Sequence, residues 1–300
     1  EMQRSLVGSE MCIRDSTGAG GFLGGTLVDY ILKNTQHELI IMTSKPEKFL
    51  GRESKCLTVA DLESIKWDEV DVLINCAFPR NTDGVQMASG MKYVSDILVE
   101  AVKGKVGAII NISSQSVYSQ MREEPVTEEG EINLETKYAT AKYACELMVN
   151  TICETIPHTN IRLASLIGAG FNQRITNKLI EQAINGKDIC VVGGKQRFGF
   201  LDVRDAARGL VTLAESDPFK WCEVYNLGSF INYSLEEIAQ LVCEVSSEHG
   251  IAISYEIERT DDWQNSSVDA RLFMTAFDWT PMYDFKDTLR YIYEEMRTSI

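Results

Sequence analysis

The sequence predicts an α/β protein: a doubly wound parallel sheet with helices on both faces, followed by a smaller C-terminal α/β domain. Three observations predict it. A glycine-spaced turn opens a helix near residue 18, strand-length apolar runs alternate with helix-period segments, and that rhythm breaks near residue 167. A chain of 300 residues suits one or two domains. The expected boundaries are 17–166 and 167–300, with segments near 200–228 returning to the sheet.

The turn reads Thr17-Gly18-Ala19-Gly20-Gly21-Phe22-Leu23-Gly24. Gly18 permits a tight turn with positive φ, Gly21 lets a pyrophosphate approach the backbone, and Gly24 lets the next helix lie close to its strand. Residues 25–33 (GTLVDYILK) form that helix, its N-terminus offering N–H groups and partial positive charge to phosphates. A flexible glycine loop is the plainer alternative.

The segment before the turn does not fit a central strand. Met11-Cys12-Ile13-Arg14-Asp15-Ser16 puts two charges where a buried strand should end. Residues 5–16 (SLVGSEMCIRDS) resemble translated sequencing-adaptor sequence, so residues 1–16 are expected to be a non-native leader replacing the true first strand. They contain no long apolar stretch of the kind a secretory leader needs.

Residues 38–42 (ELIIM), 70–76 (VDVLINC) and 107–112 (GAIINI) read as strands. Residues 87–102 form a helix with Val94, Ile97, Leu98 and Ala101 on one face, and residues 137–156 a longer one. Residues 160–166 (NIRLASL) are a further strand, and 200–203 and 224–228 are apolar enough to rejoin the sheet.

Composition excludes several classes. A net charge of −15 argues against nucleic acid as partner. No run of 18 apolar residues occurs, so no membrane span is expected. Eight cysteines without C-x-x-C spacing fit reduced thiols in a cytoplasmic protein, and three dispersed histidines leave little material for a metal site.

Tyr138 and Lys142 stand at i and i+4, on one helix face. A free phenol ionises near pH 10, and an adjacent ammonium favours the phenolate. Such a tyrosine can pass a proton to or from a substrate oxygen while hydride moves at carbon. Of the eleven tyrosines only Tyr138 has this spacing. Asn111-Ile112-Ser113-Ser114-Gln115-Ser116-Val117-Tyr118 follows a strand and precedes that helix, so a serine hydroxyl can reach a reacting oxygen. An exposed helix pair and simple strand termination remain the alternatives.

The ordered set TGAGGFLG, SSQSVYS and YATAK resembles the extended short-chain dehydrogenases/reductases, the NAD-dependent epimerase/dehydratase group, and the likeness continues through RLASLIG, RFGFLDVRD, VYNLG and SLEEI. The resemblance implies a Rossmann-like domain, Tyr138 as acid/base, Lys142 as its charge partner and ribose ligand, and Ser114 as the catalytic hydroxyl that also contacts substrate. It implies cofactor contacts at Gly18, Gly21, Phe22, Leu23 and Gly24, at Asp61 and Leu62 near an adenine, and at Ala77 in the cleft. Arg197 and Arg259 would bind the diphosphate of a nucleotide-sugar, a role suited to arginine's fork of donors.

Departures shape the expectation. The second strand ends Met42-Thr43-Ser44-Lys45, without the acid that accepts ribose hydroxyls, so Thr43, Ser44 and Lys45 tilt the choice between NAD and NADP slightly toward NADP. Gln115-Ser116 replaces the Asp-Glu pair of members that eliminate water. The leading expectation is an NAD(P)-dependent epimerase or oxidoreductase acting on a nucleotide-sugar by hydride transfer. Alternatives are an NADPH-dependent ketone or aldehyde reductase without a nucleotide handle, and a non-catalytic NAD(P)-binding protein. The resemblance also implies a possible homodimer through residues 87–102 and 137–156.

Overall fold

A computed structural model describes residues 16–49, 51, 54–79, 83–193, 195–261 and 263–298. Most of the expected leader, residues 1–15, lies outside the described residues. The first half of the chain runs β1 (Ser16–Thr17), α1 (Phe22–Asn34), β2 (Ile40–Met42), β3 (Lys55–Leu57), β4 (Val72–Asn75), α2 (Gly84–Lys103), β5 (Ala108–Ser114), α3 (Lys137–Ile152) and β6 (His158–Leu163). The second half runs β7 (Ser165–Ile167), α4 (Ile175–Ile184), β8 (Ile189–Gly193), β9 (Arg197–Asp202), α5 (Val203–Ala214), β10 (Val224–Leu227), β11 (Asn232–Ser234), α6 (Leu235–Glu248), β12 (Tyr255–Arg259), α7 (Arg271–Phe277) and α8 (Phe285–Thr298).

Contacts gather the described residues into two compact units: those up to 117 with those of 134–162 and 207–225 in one, and those of 118–133, 163–206 and from 226 onward in the other. The first is built on a seven-stranded sheet in the order β10-β6-β5-β4-β1-β2-β3. β1 pairs in parallel with both β2 and β4, and β4 with β5. The backbone of residues 16–17 thus fills the central strand position despite the charged residues before it. The strand order reverses between β1 and β4, and in such sheets the crevice beyond the strand ends at this switch point is where ligands bind.

All four residues of β4 and the first six of β5 are buried, as a strand covered on both faces requires. Asp83 caps α2 by accepting from the Gln86 amide at 2.9 Å, and Thr136 caps α3 by accepting from Ala139 at 3.0 Å. The two helices bury Val94, Ile97, Leu98 and Ala101 of α2 with Cys145 and Val149 of α3 against Leu73 and Ile109 of the sheet. Each large side chain so buried contributes about 1.5–3 kcal/mol. Burial also raises the Cys145 thiol to about 11, which keeps it a neutral packing group.

The second unit holds a three-stranded sheet, β11-β9-β7, and a two-stranded one, β12-β8. Arg197–Asp202 therefore belongs to the smaller sheet, contrary to the expectation that residues 200–203 rejoin the large one. Val224–Leu227 does join the large sheet, at its edge. β8 alternates buried and exposed residues because only one of its faces is covered. Its inward Ile189 and Val191 pack with Ile180 of α4, Ile238 and Val242 of α6, and Leu289 and Ile292 of α8. Among the described residues no helix is long and apolar enough to cross a membrane, no side-chain cluster could hold a metal ion, and no disulfide occurs.

Candidate active site

The glycine turn lies at the switch point. Gly18 has φ +79°, and a Cβ there would stand 2.7 Å from Ala77 Cα, at the end of β4. A Cβ on Gly24 would collide with the Gly18 carbonyl. Only glycine fits either position, and the close approach they allow leaves an open, exposed rim at Gly20 and Gly21. The turn is braced by the Gly21 amide donating to Gly18 O at 2.8 Å and the Gly18 amide to Met42 O at 3.2 Å. Gly21 caps α1 without any side-chain acceptor, and no acidic residue sits in the first turn. A helix N-terminus turned this way presents N–H groups and partial positive charge to an anion. This bare cradle fits a dinucleotide pyrophosphate. Phe22 is half-buried beside it, while Leu23 is buried.

Thr43 is buried at the end of β2, where its Oγ1 accepts from the Lys45 amide at 3.1 Å and would lie 3.3 Å from a Cβ on Gly20. Ser44 and Lys45 are exposed beside it. Asp61 lies on a short 3-10 turn, Val59–Ser64. Its Oδ2 accepts from the Thr58 amide and the Thr58 hydroxyl, both at 2.8 Å, and these bonds hold its carboxyl below the usual range. Leu62 spends its side chain in the core.

Tyr138 is the second residue of α3 and is half-buried. One turn on, Lys142 is buried and donates from Nζ to Ile112 O of β5 at 2.6 Å. Ser114 ends that same strand. Its Oγ accepts from the Ser116 amide at 3.2 Å and the Ser116 hydroxyl at 2.9 Å, which leaves its own proton to donate elsewhere. α3 packs on β5 and on the 3-10 turn Gln115–Val117, so Tyr138, Lys142 and Ser114 share one neighbourhood. The segment Ala77-Phe78 joins this neighbourhood to the glycine turn: Ala77 abuts Gly18, and the Phe78 ring lies 6.0 Å from that of Tyr138.

Two features were not foreseen. Phe78 is one. The other is a buried pair behind the couple: Arg162 of β6 donates from Nη2 to Glu146 Oε2 at 2.7 Å, and the Ser113 hydroxyl donates to Glu146 Oε1. Glu146 stands four residues beyond Lys142, so its place on the same helix face was readable from spacing.

In the second unit, Arg197 and Arg259 line one cavity of about 280 Å³ with Lys195, Gln196 and Ser234. Both guanidiniums are already engaged by α6. Arg197 Nη1 donates to Glu237 Oε2 and Arg259 Nη2 to Glu236 Oε2, each at 2.9 Å.

The chain is 23% identical over 299 residues to the low-salt glycan biosynthesis protein Agl12 of Haloferax volcanii, covering 91% of this chain and 94% of the relative. It is 24% identical over 304 residues to UDP-glucuronic acid decarboxylase 6 of Arabidopsis thaliana, covering 94% and 88%. Among solved structures, UDP-glucuronic acid 4-epimerase from Bacillus cereus in complex with NAD superposes with a TM-score of 0.78 at 20% identity, covering 96% of this chain and 97% of that one. UDP-glucose 4-epimerase from Thermotoga maritima with UDP-glucose gives 0.79 at 18%, covering 95% and 99%. At these identities the structural likeness concerns the fold. The family profile reaches further, because it matches residues 17–228, which hold the glycine turn, Ser114, Tyr138 and Lys142. The chain belongs to the NAD dependent epimerase/dehydratase family.

Proposed function

We propose that the protein is an NAD(P)-dependent epimerase or oxidoreductase acting on a nucleotide-sugar at a carbinol or carbonyl carbon. The observation that supports this reading is the continuity of contacts from Gly18 through Ala77 and Phe78 to Tyr138 and Lys142, which would serve as an acid–base couple beside a pyrophosphate cradle. Gly18, Gly21, Phe22, Leu23 and Gly24 would hold the pyrophosphate, with Asp61, Leu62 and Ala77 along the cleft. When bound, the dinucleotide supplies the hydride acceptor and donor. Tyr138 takes the proton of the substrate hydroxyl and returns it to the carbonyl oxygen. Ser114 donates its remaining hydroxyl proton to the same oxygen and orients it. Lys142 supplies the positive charge that favours the phenolate.

Thr43, Ser44 and Lys45 offer hydroxyls and a cation but no carboxylate, a set better matched to a 2′-phosphate than to bare ribose hydroxyls, so NADP is the preferred form within this proposal. Arg197 and Arg259 would take the substrate diphosphate by exchanging Glu237 and Glu236 for phosphate oxygens. Pairing of two copies through α2 and α3 belongs to the same proposal, supported by Val85 and Leu147 being 77% and 51% exposed on those helices. Light scattering of the purified protein tests it.

The deciding experiment measures NAD and NADP affinity, then screens UDP-, GDP- and dTDP-sugars for isomerisation or change in nicotinamide absorbance. Turnover of any of them supports the proposal. Dinucleotide binding with turnover of simple ketones alone would replace it with a reductase lacking a nucleotide handle. The engagement of both arginines by glutamates is the observation that favours this second reading.

A further inference from the structure

The Lys142 ammonium is buried, 5% exposed, and among the described residues its close partners carry no formal negative charge. One is the Ile112 carbonyl at 2.6 Å, and the other is the face of the Phe78 ring, whose centroid lies 4.6 Å from Nζ. The same ring meets Tyr138 edge-on, with centroids 6.0 Å apart and planes at 69°. Phe78 therefore touches both members of the acid–base couple at once.

Its position is held from two sides. Ala77 before it abuts Gly18, and Pro79 after it lies so close to α2 that a Cβ on Gly90 would stand 2.7 Å from Pro79 Cγ. A buried ammonium without a counter-anion is costly, and a carboxylate beside it would relieve that cost but cancel its field at the phenol. An aromatic face relieves part of the cost through its quadrupole and leaves the charge whole. It also excludes water, which strengthens the interaction of the charge with Tyr138.

We propose that Phe78 is a positioning residue of this couple: its ring holds the Lys142 ammonium dry and unneutralised, so that Tyr138 feels the full charge. The proposal rests on the reading of Tyr138 as the proton carrier. Among the described titratable groups, Cys145 on α3 interacts with the charges of Lys142 and Glu146, and Tyr93 lies on α2, which packs on α3. Glu146 is committed to Arg162 of β6 and Ser113 of β5, and Cys145 is held neutral by burial. β5 and the turn after it carry hydroxyls and two amides, Asn111 and Gln115, and no acid, so the aromatic face is the distinctive element.

The test compares the wild-type protein with Phe78→Leu and Phe78→Trp, each labelled with ¹³C at the tyrosine ζ carbon and titrated without ligand. The Tyr138 signal is the one missing from Tyr138→Phe. We expect its ionisation in Phe78→Leu to move to higher pH by about one unit, and to stay within a few tenths of wild type in Phe78→Trp. The alkaline-favoured limb of the pH–rate profile for substrate oxidation should move the same way, with KM little changed. Phe78→Met replaces Phe78→Leu if the latter does not fold, since it keeps volume without a ring. A ringless variant that melts like wild type and titrates like wild type overturns the proposal and leaves Phe78 as core packing. Failure of the wild type to bind a dinucleotide or turn over any substrate would instead remove the proposed function, while the ligand-free titration would still decide the role of Phe78.

Discussion

In the proposed function Tyr138 is the proton carrier, and its place in the first turn of α3 lets one substitution separate binding from catalysis. Tyr138→Phe keeps the ring and its contact with Phe78 but removes the proton carrier. We expect kcat to fall by about 10²–10⁴ while dinucleotide affinity, measured by fluorescence titration, stays within about twofold. Equal loss of both would mean that Tyr138 serves the fold. Gly18 offers the complementary case. Its φ of +79° and the 2.7 Å clearance to Ala77 leave no room for a side chain. Gly18→Val should cost about 1–3 kcal/mol by thermal denaturation and abolish dinucleotide binding, because the turn must open to accommodate it. Both positions stand out in the sequence, since glycine spacing and Y-x-x-x-K spacing are local signals. The cation–aromatic contact of Phe78 does not. It joins residues 64 positions apart that meet only when the segment after β4 is brought against α3 by the fold.

At the scale of elements, α3 binds the large sheet through a polar anchor as well as an apolar face. Glu146 and Arg162 are both almost fully buried, with side chains 4% and 7% exposed. Their ion pair, with Ser113 as third partner, ties α3 to β5 and β6 just behind the catalytic face. Arg162→Leu would strand a buried carboxylate and should destabilise by about 3–5 kcal/mol in urea titrations. Replacing both partners with leucine should recover much of that loss, since no unpaired charge remains. A double variant as unstable as the single would show that the anchor works through shape instead. A second polar device lies across the strands themselves: Asn75 donates to Asn111 at 3.0 Å, and Asn111 to Asn160 at 2.8 Å. A one-residue slip would bury unpaired amides, so these bonds fix the register of β4, β5 and β6. The strands were readable from their apolar runs, but the pairing of amides between them depends on register, which a single sequence does not display.

Over the whole molecule, the alternation of strands and helices through residue 166 was legible because buried parallel strands and amphipathic helices each leave a strong periodic trace. Short, half-exposed strands were not: β3, β8, β11 and β12 went unread, β7 was merged with β6 into one strand over 160–166, and β9 was assigned to the wrong sheet because apolar content does not say which sheet a strand joins. The two units also differ in how they use charge. Asp61 is a carboxylate held low in the first unit, by the Thr58 bonds. In the second, Arg290 and Lys286 of α8 hold Glu248 of α6 down to about 2, Lys286 lowers Glu244, Ser234 and Arg197 lower Glu237, and Arg271 lowers Asp269. A carboxylate whose folded value lies below its unfolded one stabilises the fold above the unfolded value. That stabilisation is lost as pH falls through the folded value. For Glu248 the window runs from 4.5 down to about 2. The melting temperature should therefore hold from neutral pH to about 5 and drop below 4.5, with the α6–α8 region losing protection first in hydrogen exchange. Because these pairs are exposed, the drop should be shallow and should flatten further in about 1 M salt. Glu248→Gln should lower the neutral-pH melting temperature slightly and remove part of the acid slope. A variant that keeps the full slope would show that the acid sensitivity arises elsewhere in the chain.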